Sequence, residues 1–325
     1  MNRNLLFVII TASTIMLTGC SWAFNMPEAM ITIRIIDESG EPIKNATVRI
    51  GFAQPKKAEG GIDSEFVEGI TDSDGQFIAT HKTIGQIGYE IKKSSYYGSY
   101  GEYTFKSVEQ NRLQPWNKEF KVVLRKIENP VPMYARDSKM SKKIILPIAG
   151  VGVGFDLIEY DWVKPFGKGA NPDLIIKMDS EYVSAQDYSA SLTIYFTNKY
   201  DGIQIYKDSR KNGSEFKLPR YAPEHGYLNK LSCSINSSSK EPTKFSFKED
   251  DNYFIRVRSE EKDGKLYRAM YGKIHGGIEF YPKSSSTAVI IFKYYLNPDY
   301  SRNLEYDPKR NLFTGLGRFE YVGLE

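Results

Sequence analysis

Two cysteines and three histidines in 325 residues are a thin supply of the side chains that ligate metals, staple folds or act as nucleophiles. His81, His225 and His275 lie far apart, none three or four residues from another and none near a cysteine at zinc-like spacing, so neither a metal nor a cofactor is expected. The excess of positive charge is small. The net charge is +4, with no long basic run, which excludes the concentrated cationic face a nucleic-acid partner needs. There is no phosphate-cradling Walker loop and no G-x-S-x-G nucleophile elbow. No stretch of a dozen residues carries a 3.6-residue apolar period, and beyond the N-terminus no apolar run could cross a bilayer.

Aromatic residues are abundant, with 23 Tyr and 18 Phe, a bias that favours strands. The N-terminus carries the sharpest local signal. Arg3 precedes an apolar run from Leu5 to Leu17, which ends in Leu17-Thr18-Gly19-Cys20. A short cationic region, an apolar stretch too short to span a membrane and small residues before a cut site are the anatomy of an export signal. The ending resembles the lipobox of bacterial lipoproteins. The resemblance implies removal of residues 1–19, acylation of Cys20, a membrane partner held through that lipid, and, with Ser21 next, an outer-membrane destination. Several acyl chains on one residue anchor stably where one would not. With Cys20 lipidated, Cys233 has no partner for a disulfide, and "LSCSIN" around it is the setting of a buried strand cysteine.

After a tether over residues 20–29, period-two alternation begins. Ile31, Ile33 and Ile35 share one face of "ITIRIID", and Ala46, Val48, Ile50 and Phe52 share one face of "ATVRIGF". Phe120, Val122 and Leu124 repeat the pattern in "EFKVVLRK". Between the strands stand Asp37, Gly40, Pro42, Ile43, Ala46 and Val48, and later Thr71, Asp72, Asp74, Gly75 and Phe77. That spacing resembles the carboxypeptidase regulatory-like family, which implies a transthyretin-like β-sandwich over residues 30–128 with no catalytic residues of its own. "DSDG" at Asp72–Gly75 invites a calcium-loop reading. Such a loop would put Ile70 at its first position and His81 at its twelfth, where carboxylates are required. A tight turn needs only an aspartate and a glycine, and a turn is expected.

Pro130 and Pro132 suggest a linker over residues 129–136, followed by a second β-rich domain with long loops over 137–325. There "SLTIYFT" and "NYFIRVRSE" alternate, and "TAVIIFKYYL", apolar on both faces, predicts a central strand. Turns at Gly202 and Gly264 predict hairpins, and the polar, Pro-punctuated "NPDYSRNLEYDPKRNLF" predicts an extended C-terminal arm on the surface. Gly150, Gly152 and Gly154 are spaced G-x-G-x-G, one residue short of a dinucleotide fingerprint, and Pro165 breaks any helix after them.

The chain is therefore expected to be an all-β, non-enzymatic envelope lipoprotein that binds or scaffolds at the bacterial cell surface or periplasm. Two alternatives stand beside it. One is a carbohydrate-binding accessory protein, with Tyr96, Tyr97 and Tyr100 of a tyrosine-rich hairpin as a glycan or protein platform. The other is a hydrolase with its site in the second domain, for instance Cys233 with a histidine. The long loop Lys207 to Tyr227 adds Arg220, Tyr221 and His225 as candidate binding residues.

Overall fold

The computed structural model describes residues 26–56, 61–139, 142–208, 212–248 and 250–324. Cys20 and the segment expected to direct export lie outside them. The described residues contain strands and turns and no helix, so the chain is all-β, as its alternation predicts.

The first half supplies β1 (Glu28–Ile36), β2 (Thr47–Pro55), β3 (Ile62–Ile70), β4 (Gln76–Lys82) and β5 (Gln86–Lys92). It continues with β6 (Ser99–Thr104), β7 (Ser107–Glu109), β8 (Arg112–Gln114) and β9 (Lys118–Val123). One sheet joins β4, β1, β9, β8 and β7; the other runs β3-β2-β5-β6. The alternation dictates how they meet. Ile31, Ile33 and Ile35 of β1 face Val48, Ile50 and Phe52 of β2, all fully buried in one apolar core.

The second half supplies β10 (Val131–Asp137), β11 (Ile144–Ile145), β12 (Val153–Asp156), β13 (Asp161–Trp162), β14 (Leu174–Ser184), β15 (Asp187–Tyr195) and β16 (Gly202–Lys207). After these come β17 (Gly213–Ser214), β18 (Lys230–Ser238), β19 (Glu241–Phe245), β20 (Asp251–Lys262), β21 (Lys265–Pro282), β22 (Ala288–Asn297) and β23 (Tyr306–Asn311). The order β16-β20-β21-β22-β10-β23 faces the order β13-β12-β14-β15-β18-β19 across a core of Phe155, Leu192, Ile235, Ile255, Phe280 and Tyr294. β22 is flanked by β21 and β10, the central place its two-sided apolar pattern requires.

Several local expectations change. The segment expected as a linker is strand from Val131 onward: β10 pairs with β22 and β23, because Pro130 and Pro132 enforce the extended backbone that a strand also uses. The C-terminal arm is no surface wrap. Leu304, Glu305 and Tyr306 are buried, and β23 closes an edge of the sheet. Asp263-Gly264 turns β20 into β21 with both residues at positive φ, as a two-residue hairpin demands. Gly202 does not make a hairpin; it begins β16, which carries the chain from one sheet to the other. The G-x-G-x-G stretch is a packing device. A Cβ on Gly152 would lie 2.0 Å from the Tyr195 hydroxyl, and one on Gly154 would lie 2.6 Å from Pro172.

The "DSDG" residues form the turn into β4. Asp72 Oδ1 accepts the Asp74 and Gln76 amides at 3.0 and 2.8 Å, so the carboxylate is already committed to the backbone. Gly75 sits at φ +71°, and a Cβ there would lie 2.3 Å from the Ile35 carbonyl oxygen. Left-handed backbone alone costs an L-residue about 1–2 kcal/mol. Gly75→Ala should therefore lower stability by about 2 kcal/mol or more, read from the denaturation midpoint, whereas Asp74→Ala should change it by less than about 0.5 kcal/mol.

Candidate functional site: the seam between the sandwiches

A dense set of polar contacts lies where the second half meets the first. β17 pairs with β6, with Gly213 opposite Tyr100 and Ser214 opposite Ser99, and so closes the edge of the first sandwich's sheet. Asn212 clamps Glu102 on both sides, its Oδ1 accepting the Glu102 amide and its Nδ2 donating to the Glu102 carbonyl. The chain then dives inward. Phe216 and Leu218 are buried, and the Phe216 ring lies 5.1 Å from the ring of Tyr97. Arg125 stacks over Phe216 at 4.1 Å and donates to the Phe216 and Leu218 carbonyls at 3.0 and 2.6 Å. Lys273 approaches the same ring at 5.0 Å.

Arg220 and Glu305 form the centre. Glu305 is fully buried, Arg220 nearly so, and the two meet at 2.6 Å. Arg220 reaches Glu38 at 3.2 Å and Glu128 at 3.3 Å, and donates to the Lys126 carbonyl at 2.7 Å, all in the first half. Glu305 accepts the Tyr97 hydroxyl at 2.8 Å and the amides of Glu128 and Asn129, each at 2.9 Å. Burial by itself raises a carboxyl pKa. The Arg220 guanidinium and the Asn129 and Glu128 amides outweigh burial here and hold Glu305 below its ordinary value. Burial, reinforced by Glu305, pushes the Tyr97 phenol well up.

Of the six nominated binding residues, Tyr97 and Arg220 come together on Glu305 and are enclosed. They are structural contacts, not a surface platform. Tyr96 is half-buried and bridges to Lys126. Tyr100, on β6, is 42% exposed. Tyr221 is exposed while its backbone pairs with Asn303, and the His225 side chain is 93% exposed beside Glu224. Sequence reasoning missed Glu305, Phe216 and Arg125. Glu305 stood between Leu304 and Tyr306, and that apolar flanking was the one cue to its burial.

A second buried ionic cluster pins the loops of the other sandwich. Arg258, at φ +51° where β20 bulges, donates to Asp173 at 2.7 and 2.8 Å and to Asp156 at 2.7 Å. Asp156 also accepts the amides of Ile158, Glu159, Ala170 and Asn171. These bonds overcome the effect of burial and lower the pKa of Asp156, while burial wins at Asp173 and raises it. Cys233 is buried on β18, and burial, with some help from Asp251, pushes its thiol up to about 11, the opposite of an activated nucleophile. An open concavity of about 630 Å³ in the same half is lined by Ser180, Ser189, Ser191, Ser234 and Ser286 with Asp179 and Glu181, with neither Cys233 nor a histidine in its lining. Among the described residues no group of three or more His, Cys, Asp or Glu side chains is arranged to hold a metal, and no helix is long and apolar enough to cross a membrane.

No family model and no curated protein matches the chain. Among solved structures, 3-chlorocatechol 1,2-dioxygenase from Rhodococcus opacus 1CP is similar over 33% of this chain and 66% of its own, at 12% identity and a TM-score of 0.25. BcpA, the major pilin subunit of Bacillus cereus, is similar over 82% of this chain and 69% of its own, at 9% identity and a TM-score of 0.22. Both scores are too low to carry an argument about role.

Removing one partner of a buried ion pair leaves the other charge uncompensated and costs about 3–5 kcal/mol. Glu305→Ala should therefore destabilise by that amount in urea denaturation and separate the unfolding of the two halves into distinct transitions. Tyr221→Ala should stay within about 0.5 kcal/mol of the parent. The pH dependence has a definite sign. With Glu305 lowered in the folded state, its contribution is present above the ordinary Glu value near ~4.3 and is lost as pH falls through the lowered folded value. The parent chain should lose stability over that acidic window, and Glu305→Gln should flatten the loss.

Proposed function

We propose that this chain is a lipid-anchored envelope protein that works by contact, presenting a binding or scaffolding surface on two sandwiches fixed as one unit. The seam carries this reading. Arg125, Arg220, Glu305 and Tyr97, which could have served a ligand, instead join the two sandwiches. The reward for burying so much charge is a fixed geometry between two β-bodies, which suits a protein that positions partners. The Leu-Thr-Gly-Cys ending supports attachment through Cys20, with the outer membrane as destination, and the spacing from Asp37 to Phe77 supports a carboxypeptidase regulatory-like module in the first sandwich. The partner is a protein or glycan of the envelope.

The two alternatives are weaker. A sugar platform built on Tyr96, Tyr97 and Tyr100 loses its middle ring to the seam. A Cys-His hydrolase loses its nucleophile, since the Cys233 thiol is buried and raised.

Growth in radiolabelled palmitate should label the wild-type chain and leave Cys20→Ala unlabelled; equal labelling would remove the anchor from the proposal. Purified chain should turn over no ester, peptide or glycoside substrate above background. Turnover abolished by replacing a residue of the serine-lined concavity would favour a hydrolase instead.

A further inference from the structure

The two ends of the first sandwich's second sheet are treated differently. At one end β17 covers β6. At the other, β3 has β2 on one side and, among the described residues, nothing paired on the opposite side. β3 spans nine residues, the longest strand at a sheet edge among the described residues, and its pattern is exposed nearly throughout. β19, by contrast, is a five-residue edge interrupted by Pro242, and the β23 edge contains Pro308; a proline blunts an edge by removing a donor. β3 contains neither proline nor lysine.

Hydrogen-bond parity shows which backbone groups of β3 face outward. The Thr71 amide donates to the Ala46 carbonyl, and the Gly61 carbonyl accepts from Lys56, so the odd-numbered residues bond to β2. Pro55, which has no N–H, pairs with even-numbered Ile62, as that parity demands. In an antiparallel ladder bonded and non-bonded pairs alternate. The N–H and C=O groups of Ile62, Ser64, Phe66, Glu68 and Ile70 therefore point into open space. Ser64 shows it directly: its amide is taken by the neighbouring Asp63 carboxylate at 2.8 Å.

The same five residues carry a symmetric pattern. Ile62, Phe66 and Ile70 are 54%, 51% and 61% exposed and lie on one face, with Ser64 and Glu68 between them. Reversing the strand about Phe66 places Ile62 opposite Ile70, Ser64 opposite Glu68 and Phe66 opposite itself. On the other face Asp63 meets Gly69 and Glu65 meets Val67, so no two carboxylates stand directly opposed. Glu68 is held by Arg49 at 2.7 Å, which tempers the acidity of the edge, and Glu65 lies 3.2 Å from His81. Arg49 also stacks over the Phe66 ring at 3.6 Å and fixes it on the outer face.

We propose that β3 is a self-recognition edge, on which a second copy of this chain docks antiparallel about a two-fold axis through Phe66 and joins two sheets into one. The contact is isologous: the same strand serves both copies. Five outward residues on each side give about ten main-chain hydrogen bonds at full pairing. Asp63 is the competing group, because it must release the Ser64 amide.

The test uses the full chain with Cys20→Ser, so that no lipid or second accessible thiol intervenes. Sedimentation equilibrium should show a concentration-dependent dimer. Residues facing each other as a bonded pair have Cα atoms about 5.5 Å apart, within the roughly 4.4–6.8 Å a disulfide spans. Phe66→Cys should therefore form a disulfide-linked dimer on oxidation. Ile62→Cys and Ile70→Cys should not cross-link alone but should do so when mixed. Ser64→Pro removes an outward donor while leaving every bond to β2, and should weaken the dimer at least tenfold; Phe66→Lys should do the same if the proline variant fails to fold. A chain that stays monomeric, with Phe66→Cys cross-linking no more than Ile62→Cys, would overturn the proposal. So would a dimer that survives both Ser64→Pro and Phe66→Lys.

Discussion

The Arg220–Glu305 pair is the contact on which the arrangement of the two sandwiches depends. An isolated ion pair buried this deeply contributes little net stability, because taking two charges out of water costs several kcal/mol for each ion. Here most of the polar atoms find partners. Glu305 collects the Tyr97 hydroxyl and two amides, and Arg220 reaches two further carboxylates and a carbonyl. A network this densely partnered favours one geometry and penalises a slip, since rotation between the halves would strand a charge. The apolar contacts around Phe216 supply adhesion, while the ionic centre supplies orientation.

That distinction explains what the sequence could and could not reveal. The strands were legible because the core is built from period-two alternation: Ile31, Ile33 and Ile35 in one half and Tyr253, Ile255 and Val257 in the other announce their buried faces without tertiary knowledge. The turn at Gly75 and the hairpin at Gly264 were legible for the same local reason. The seam was not. Its members stand at positions 38, 97, 125, 216, 220 and 305, scattered along the chain, and nothing local links any one of them to the others. Arg220 was noticed for its basic, aromatic surroundings, and those surroundings serve burial. The proline pair before β10 misled for a related reason: proline reports extended backbone, and extended backbone belongs equally to linkers and to strands.

The two ionic clusters use the same chemistry for different ends. At Arg258 a bulged strand turns its guanidinium onto Asp156 and Asp173, and so fastens a loop that has little regular structure of its own. At Arg136 a further buried pair with Glu320 holds the last described turn against β10, with Tyr160 stacked 3.9 Å beneath the guanidinium. The sandwiches provide flat apolar interiors, and arginines tie down whatever those interiors cannot hold. Aromatic rings under the guanidinium groups recur at Phe66, Phe216 and Tyr160, which accounts for part of the tyrosine and phenylalanine excess.

Gly213 and Ser214 complete a sheet whose other strands all precede residue 105. Asn212 clasps Glu102 across 110 positions, and Tyr97 waits for an acceptor 208 positions downstream. Until residues 212–214 are in place, the β6 edge of that sheet leaves its backbone donors and acceptors uncovered. Pairings this distant close slowly, because the intervening segment must surrender its freedom beforehand. The first sandwich is accordingly the half most open to mispairing while the chain is still folding.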